Sequence, residues 1–213
     1  RPNPAPKRSS HPNLKNQIRS SMKIMKFGGT SVGKPERMHE VSKLITKDAE
    51  SKIVVLSALS GTTNALVAIS DSLSKSDRVT AKQQIDTLEA HYQNFITELV
   101  KTETSLTKAK AILTEHFEFL NIILKISFNE ALYKDILAQG ELLSTKLFST
   151  FLEEQGIDHM YLPALDFVVI DEYDEPDLDT IKKKLAEILK ANTDKKLFIT
   201  QGYICRNAKG EVD

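Results

Sequence analysis

The sequence is poor in several features that would each have indicated a particular class of protein. It has one cysteine, Cys205, among its 213 residues, which excludes an internal disulfide framework and a zinc site built from several cysteines. No run of 18 consecutive apolar residues occurs, so no segment has the composition of a membrane-spanning helix. Basic and acidic residues each number 29, which argues against a dedicated nucleic-acid binder. We therefore expect a cytoplasmic globular protein that binds neither nucleic acid nor membranes.

Residues 1–21 differ in composition from the rest of the chain. They contain basic residues but no acidic ones, and they hold four of the seven prolines. Such a segment buries too little apolar surface to offset the entropy lost on ordering, so we predict a disordered basic leader. The prolines are unfavourable for the amphipathic helix of a transit peptide, and an upstream read-through or cloning artefact is favoured instead. Residues 22–213 are then the part that folds.

From residue 22 onward, strand patterns alternate with helix patterns. Short apolar runs bounded by turn residues predict strands, and apolar residues spaced three and four apart predict helices. The predicted strands cover residues 22–27, 53–58, 160–162, 167–170 and 197–200. The helices between them imply a parallel sheet joined by right-handed crossovers. A turn at residues 201–205 predicts one more strand.

Residues 80–137 interrupt this alternation. They contain no glycine and no proline, and their apolar side chains form two stripes at helical spacing. One stripe runs from Ile85 to Leu99 and the other from Ile112 to Leu124. We predict a helical hairpin, inserted into the α/β domain and packed on itself and on the sheet. The alternative interpretation is a lid or a dimer surface.

Two more helices are predicted after the hairpin. The first covers residues 137–155, with Gly156 well placed to end it. The second contains the apolar stripe from Ile181 to Leu189, and either Asp177 or Asp179 can cap its start.

The glycine pair Gly28-Gly29 lies between the first predicted strand and a helix. Glycines allow backbone amides to approach an anion closely, and a helix N-terminus adds a positive dipole. Lys26 could place an ammonium beside the same anion. The alternative is an ordinary tight turn with a surface lysine. A Walker A loop is nearly matched here, but Pro35 stands where its magnesium-binding hydroxyl is required.

A second strand-to-helix junction, residues 57–64, is rich in short hydroxyl side chains. The simplest interpretation is a helix N-cap with a glycine turn. The alternative is a cradle in which Ser57 and Thr63 donate hydrogen bonds to an oxyanion. Adjacent parallel strands bring such junctions together at one edge of a sheet, which favours the cradle.

Glu141 follows Gly140 within an otherwise apolar helical stretch. It could lie in a first helical turn and merely favour the helix dipole. The sharper hypothesis is a buried carboxylate that faces the amine of a ligand.

These segments together resemble the aspartate kinases. The segment KFGGTSV at 26–32 is similar to their amino-terminal signature, VLSALSGTTN at 55–64 to their second motif, and GELLS at 140–144 to their third. QGYI at 201–204 resembles the strand that precedes the arginine and Gly-Gly-Ser-Asp segment of the family. The alternatives are another amino-acid kinase, acting on glutamate or N-acetylglutamate, and a truncated homologue that binds without turnover.

The resemblance implies a three-layer αβα sandwich, the amino-acid kinase fold. It also implies transfer of the γ-phosphoryl group of MgATP to the side-chain carboxylate of L-aspartate. The product, 4-phospho-L-aspartate, opens the route to lysine, threonine and methionine. A carboxylate acceptor is already ionised at neutral pH, so no general base is needed. Catalysis then depends on alignment and on neutralising the charge of two anions.

The resemblance also assigns roles to individual residues. Lys26 would neutralise the transferring phosphoryl group as the catalytic residue, and Glu141 would pair with the ammonium of aspartate. The remaining expected contacts are to ATP phosphates from Phe27, Gly28, Gly29 and Ser57, and to substrate from Ser57 and Thr63. The ligands of Mg²⁺ and the adenine-binding half are expected beyond residue 213. We therefore expect residues 22–213 alone to lack kinase activity, and the full-length protein to be a homo-oligomer.

Overall fold

A computed structural model describes residues 22–213, in which four parallel strands form one sheet. The strands are β1 (Lys23–Phe27), β2 (Lys52–Leu56), β3 (Met160–Tyr161) and β4 (Leu197–Gln201), in the spatial order β1-β2-β4-β3. Every pairing is parallel, which confirms the predicted sheet type. The predicted basic leader lies outside the described residues.

Eight helices connect and cover the strands in this part of the chain. They are α1 (Gly29–Val32), α2 (Pro35–Ile45), α3 (Thr62–Ser74), α4 (Arg78–Leu99), α5 (Glu103–Ile123), α6 (Glu130–Glu154), α7 (Ala164–Phe167) and α8 (Leu178–Ala191). Asp177 caps α8 by accepting a hydrogen bond from Thr180 N–H, as one of the two predicted caps. Gly156 has φ of 68°, and the Gly156 and Ile157 amides bond back to α6 in the pattern that ends many helices.

The two faces of the sheet are covered by different helices, so the fold has three layers. Along β2, Val54 and Leu56 pack into the larger core, which includes residues of α2, α3, α4, α5 and α6. Ile53 and the half-buried Val55 point to the opposite face, where they pack with residues of α7 and α8. This alternation is the period of two that a strand imposes. The predicted αβα sandwich is confirmed.

The helical hairpin consists of α4 and α5, and both predicted apolar stripes face inward. Tyr92, Phe95 and Phe117 are at most 4% exposed within it. The expected packing of this hairpin on the sheet is wrong, however. α4 contacts α2 and α3, and α5 contacts α6, while α6 itself contacts β2 and β4. The hairpin therefore forms an outer row over the helices that cover the sheet.

Three predicted boundaries also differ from the structure. Helix α6 begins at Glu130 because the Asn129 side chain accepts a hydrogen bond from Leu132 N–H, so the hairpin ends before residue 137. Phe167 is not in a strand: it ends α7 and packs with α8 residues, since a short apolar run fits either element. After Gly202 the described chain forms isolated bridges at Arg206 rather than another strand.

Strand β1 lies at one edge of the sheet. Among residues 22–213, little covers its face opposite the larger core, and Ile24 is 72% exposed. Lys26 lies on the same face and is also exposed. None of the helices in residues 22–213 is both long enough and apolar enough to cross a bilayer.

Candidate functional site

The two glycine- and hydroxyl-bearing junctions meet at the carboxyl ends of β1 and β2. Ser57 N–H donates to the carbonyl oxygen of Phe27 at 3.1 Å, which extends the strand pairing into the two loops. A Cβ added to Gly29 would lie 2.8 Å from the Ala58 carbonyl oxygen. A side chain at this position would force the loops apart. Glycine is therefore required at position 29 by the close approach of the two loops.

Gly28 differs from Gly29 because the position of its missing Cβ faces open space. A Cβ at Gly28 would meet no atom within 4 Å, and the residue is exposed. Gly28 is the N-cap of α1, and no side chain caps that turn. Lys26 is exposed two residues earlier, on the strand that leads into the loop. The Gly28-Gly29 backbone and the Lys26 ammonium are thus accessible to an anion from solvent.

The hydroxyl side chains of the second junction are not used to cap α3. The N-cap of this helix is Gly61, with φ of 87°, and no side-chain hydrogen bond caps the turn. Thr63 is exposed in the first turn, and Ser57 is half-buried at the end of β2. The simpler interpretation, in which the hydroxyls serve as a cap, therefore does not account for them.

Glu141 lies on α6, which packs against the larger-core face of the sheet, and its side chain contacts the second junction. Its side chain is buried, with the residue 5% exposed, and Oε1 accepts a hydrogen bond from Ala58 N–H at 3.3 Å. Burial raises the pKa of this carboxyl above its usual value, and the Ala58 hydrogen bond opposes that shift. The first-turn interpretation is wrong, because Glu141 lies in the middle of a 25-residue helix. The buried carboxylate of the sharper hypothesis is what the structure contains.

Two contacts fix α6 against the end of β2. A Cβ at Gly140 would lie 2.8 Å from the Ala58 Cβ, so only glycine lets the helix come this close. Ser144 Oγ donates to the Ser57 carbonyl oxygen at 2.8 Å, one turn along α6. The glycine inside the helix thus has a packing reason, and it sets the distance between Glu141 and the junction.

A third loop joins this edge of the sheet and was not predicted to be part of the site. Gly202 N–H donates to the Leu56 carbonyl oxygen at 2.9 Å, and a Cβ at Gly202 would lie 3.9 Å from Ser57 Oγ. Next to it, Tyr203 has φ of 68° and is 83% exposed. A left-handed backbone at a non-glycine residue is strained, and such residues cluster at functional sites. The signal in the sequence is the glycine directly after a buried strand.

The described residues supply no metal centre at this edge. Within 22–213, no group of three or more His, Cys, Asp or Glu side chains could hold a metal ion. A cavity of about 490 Å³ lies nearby, between α3 and α4. Ser60, Gly61 and Thr62 line it together with residues of α4, but Lys26, Ser57, Thr63 and Glu141 do not. The candidate site is therefore formed at the carboxyl ends of β1, β2 and β4, and the cavity lies next to its second junction.

A family model described as the amino acid kinase family matches residues 21–213. The chain belongs to the amino acid kinase family. The matched range includes the glycine loop, the hydroxyl junction and all four strands described above.

Similar proteins within this family are aspartokinases. The lysine-sensitive aspartokinase 3 of Escherichia coli K12 is 28% identical over 196 residues, which cover 91% of this chain and 43% of that protein. The chloroplastic aspartokinase 2 of Arabidopsis thaliana is 34% identical over 164 residues, covering 73% of this chain and 29% of that protein. The chain thus spans less than half the length of either relative.

Solved structures of this family superpose on the described fold. E. coli aspartokinase III in complex with lysine and aspartate, in the T-state, gives a TM-score of 0.76 at 25% identity over 91% of this chain and 43% of that one. The same enzyme with aspartate and ADP, in the R-state, gives a TM-score of 0.75 at 26% identity over 90% and 43%. The amino-acid kinase fold is confirmed by both.

Proposed function

We propose that the whole protein is an aspartate kinase, which transfers the γ-phosphoryl group of ATP to the side-chain carboxylate of L-aspartate. The observation that carries the proposal is the buried carboxylate of Glu141, placed beneath the junction of β1, β2 and β4 and bonded to Ala58 N–H. Its aspartokinase relatives, one of them solved with aspartate and ADP, support the same activity. The product would be 4-phospho-L-aspartate.

Glu141 is proposed to select a substrate with a free amino group. A carboxylate accepts hydrogen bonds at two oxygens, and Ala58 N–H engages Oε1. The ammonium of an amino acid can then form a charge-assisted bond to the other oxygen. An arriving ammonium also opposes the effect of burial and favours the ionised carboxylate. Ser57 and Thr63 are proposed to bind the substrate oxygens above it.

The residues at the end of β1 fit the phosphate end of ATP. Gly28 has open space on its side-chain side, and Lys26 is exposed on the adjoining strand, so both reach an anion without rearrangement. Phe27 and Gly29 flank Gly28 in this loop and are proposed to contact the phosphates with it. ATP, when bound with Mg²⁺, supplies the transferable phosphoryl group. The Mg²⁺ ligands and the adenine contacts are proposed to lie beyond residue 213.

The chemistry then needs charge neutralisation more than proton transfer. The acceptor carboxylate is ionised at neutral pH, and no histidine is required near the site. Lys26 is proposed to screen the repulsion between the acceptor carboxylate and the γ-phosphate. Fixed donors aimed at developing charge are the main source of rate enhancement in such sites.

Acceptor screening of the full-length protein tests the proposed activity. ATP consumption is measured with L-aspartate, L-glutamate and N-acetyl-L-glutamate as acceptors, and turnover with L-aspartate is expected. Preference for N-acetyl-L-glutamate would contradict the role of Glu141, and preference for L-glutamate would keep that role but change the substrate. Absence of turnover with all three, alongside measurable aspartate binding, would favour a non-catalytic homologue.

Replacement of the lysine tests the proposed catalytic residue. Lys26→Ala in the full-length protein should lower kcat by about two to three orders of magnitude, the scale seen on removing one transition-state donor. Because Lys26 is exposed on an edge strand, the melting temperature should not change. An unchanged kcat would refute the role. Residues 22–213 alone are expected to show no turnover.

We propose that the full-length protein is a homo-oligomer and that it is located in the cytoplasm. It is proposed to bind aspartate and ATP and no nucleic acid. Sedimentation of the purified full-length protein should give a mass above that of one chain, and fractionation of its source cells should recover it in the cytoplasm.

A further inference from the structure

One buried hydrogen bond joins the helical hairpin to the second junction of the site. The hydroxyl of Tyr92 on α4 lies 2.9 Å from Thr62 Oγ1, at the first residue of α3. Tyr92 is 0% exposed and Thr62 is 1% exposed. The side chains of Thr62 and Thr63 are neighbours in sequence but differ in role, because one faces the hairpin and the other faces solvent.

The ring of Tyr92 packs against aromatic side chains, and within residues 22–213 its hydroxyl is needed only for the bond to Thr62. Its ring packs against Phe95 and Phe117, with centroids 6.4 and 6.0 Å away. Phenylalanine would satisfy this packing equally well. A buried hydroxyl without a partner is unfavourable, and the hydrogen bond with Thr62 Oγ1 compensates the burial of this one. Burial raises the pKa of Tyr92, which keeps the hydroxyl protonated.

Packing alone does not hold the start of α3 on this side. A cavity of about 490 Å³ between α3 and α4 is lined by Ser60, Gly61 and Thr62, and the first two of these residues are exposed. Gly61 has a left-handed backbone, a Cβ added to it would meet no atom within 4 Å, and no side chain caps the helix. On the cavity side Ser60 and Gly61 are exposed, and the buried Tyr92–Thr62 bond ties the first turn of α3 to α4 there.

We propose that Tyr92 is a positioning residue for the amino-acid substrate: through Thr62 it fixes the first turn of α3 and with it the hydroxyl of Thr63. This inference rests on the proposed aspartate kinase activity. The helical hairpin of α4 and α5 would then take part in substrate binding, although none of the proposed substrate contacts comes from α4 or α5. The hairpin would then contribute affinity for the amino acid and not the phosphoryl-transfer step itself.

The test compares three variants of the full-length protein in steady-state kinetics. Tyr92→Phe keeps the ring and removes the hydroxyl, and Thr62→Val keeps the shape and removes its partner. Each should raise the KM for aspartate by about three- to tenfold, the scale of one net hydrogen bond, while kcat and the KM for ATP stay within about twofold. The double variant should be no worse than either single variant, because both remove the same bond.

Ser70→Ala provides the matched control. Ser70 is 1% exposed on the same helix, and within residues 22–213 its hydroxyl bonds only back to the Leu66 carbonyl oxygen of α3. This variant should lower the melting temperature without changing the KM for aspartate. If Ser70→Ala raises that KM as much as Tyr92→Phe does, the effect is general destabilisation and the positioning role is refuted.

Hydrogen exchange separates this inference from the proposed function. Tyr92→Phe should speed amide exchange at Thr62 and Ala65, whose N–H groups donate to the Leu59 and Gly61 carbonyl oxygens, relative to Ser70→Ala, whether or not the protein phosphorylates aspartate. Faster exchange in a protein without aspartate kinase activity would refute the proposed function and retain the control of α3 by Tyr92. Normal aspartate kinase activity with unchanged KM and unchanged exchange would refute the inference alone.

Discussion

Helix α6 carries two carboxylates in opposite situations. Glu154, in its last turn, accepts hydrogen bonds from the Lys101 and Thr102 amides at 2.8 and 2.7 Å and from Thr102 Oγ1 at 2.9 Å. Glu141, in mid-helix, accepts from Ala58 N–H at 3.3 Å. The carboxylate at the end of the helix therefore accepts three hydrogen bonds. The carboxylate in the middle is buried, and one longer hydrogen bond compensates for the loss of its hydration.

The pKa directions follow from these surroundings. Burial opposes ionisation of Glu154, but the hydrogen bonds from Thr102 and Lys101 outweigh it and lower the pKa. Burial dominates at Glu141 and raises the pKa. Glu154 thus stabilises the fold as an anion, whereas an ionised Glu141 opposes folding. A residue that weakens the fold and persists in a packed helix is best explained by a ligand that it binds, and perturbed carboxyls mark functional sites for this reason.

Glu141→Gln should have the largest effect of the changes that distinguish these two carboxylates. Glutamine keeps the shape and the bond from Ala58 but loses the charge that pairs with an ammonium. Affinity for aspartate should fall by about 1.5–3 kcal/mol, the value of a hydrogen bond to a charged group, while the melting temperature should not fall. Calorimetric titration and thermal unfolding of the full-length protein measure the two effects. Unchanged affinity, or a large loss of stability, would make Glu141 a structural residue.

Gly140→Ala tests how closely α6 must approach the site. In an exposed helix this change would stabilise by about 1 kcal/mol. Here the new Cβ would lie 2.8 Å from the Ala58 Cβ, and overpacking should instead destabilise by about 1–3 kcal/mol in denaturant unfolding. Gly28→Ala is the control, since open space surrounds that position, and its unfolding free energy should not change. Equal stability of the two variants would contradict the close approach.

Glu154→Gln should show the reverse of the Glu141 result. The variant loses charge-assisted bonds to the start of α5 and should lose about 0.5–2 kcal/mol of stability, as other capping side chains do, with aspartate affinity unchanged. The adjacent Glu153→Gln is the control. Glu153 pairs with Lys108 at the surface, so that change should alter stability by less than about 0.5 kcal/mol. A similar loss in both variants would remove the distinction.

The pH dependence of stability gives the smallest effect and the most specific one. Glu154 has a lowered pKa, so its contribution is present above the unfolded-state pKa and is lost as pH falls through the folded-state value. Glu141 has a raised pKa, so the folded state binds its proton more tightly and stability falls as pH rises through that value. Unfolding free energies of wild type and Glu141→Gln should therefore converge at acidic pH. Parallel curves would refute the assignment.

Much of the site could be predicted because it depends on local sequence. The runs at β1 and β2 identify strands, and the glycines and hydroxyls after them lie at strand ends by the geometry of parallel sheets. Glu141 is a candidate from its sequence context, but its depth in α6 is not evident there. The helix start depends on Asn129 as a cap, in a stretch where apolar periodicity gives no boundary.

The remainder depends on contacts between distant parts of the chain. The hairpin packs on α2, α3 and α6 because α6 lies between it and the sheet, in contact with β2 and β4. The Gly202–Tyr203 loop joins the site only because β4 inserts between β2 and β3. The bond between Tyr92 and Thr62 spans 30 positions in sequence, and no spacing rule links them.

The free side of β1 has a practical consequence for anyone producing residues 22–213 as an isolated polypeptide. Within this strand the Ile24 side chain is 72% exposed, and no other strand in that range pairs with its outer side. Uncovered strands of this kind recruit further chains by backbone pairing. Such a preparation should form concentration-dependent aggregates, and Ile24→Lys should keep it monomeric enough for spectroscopy.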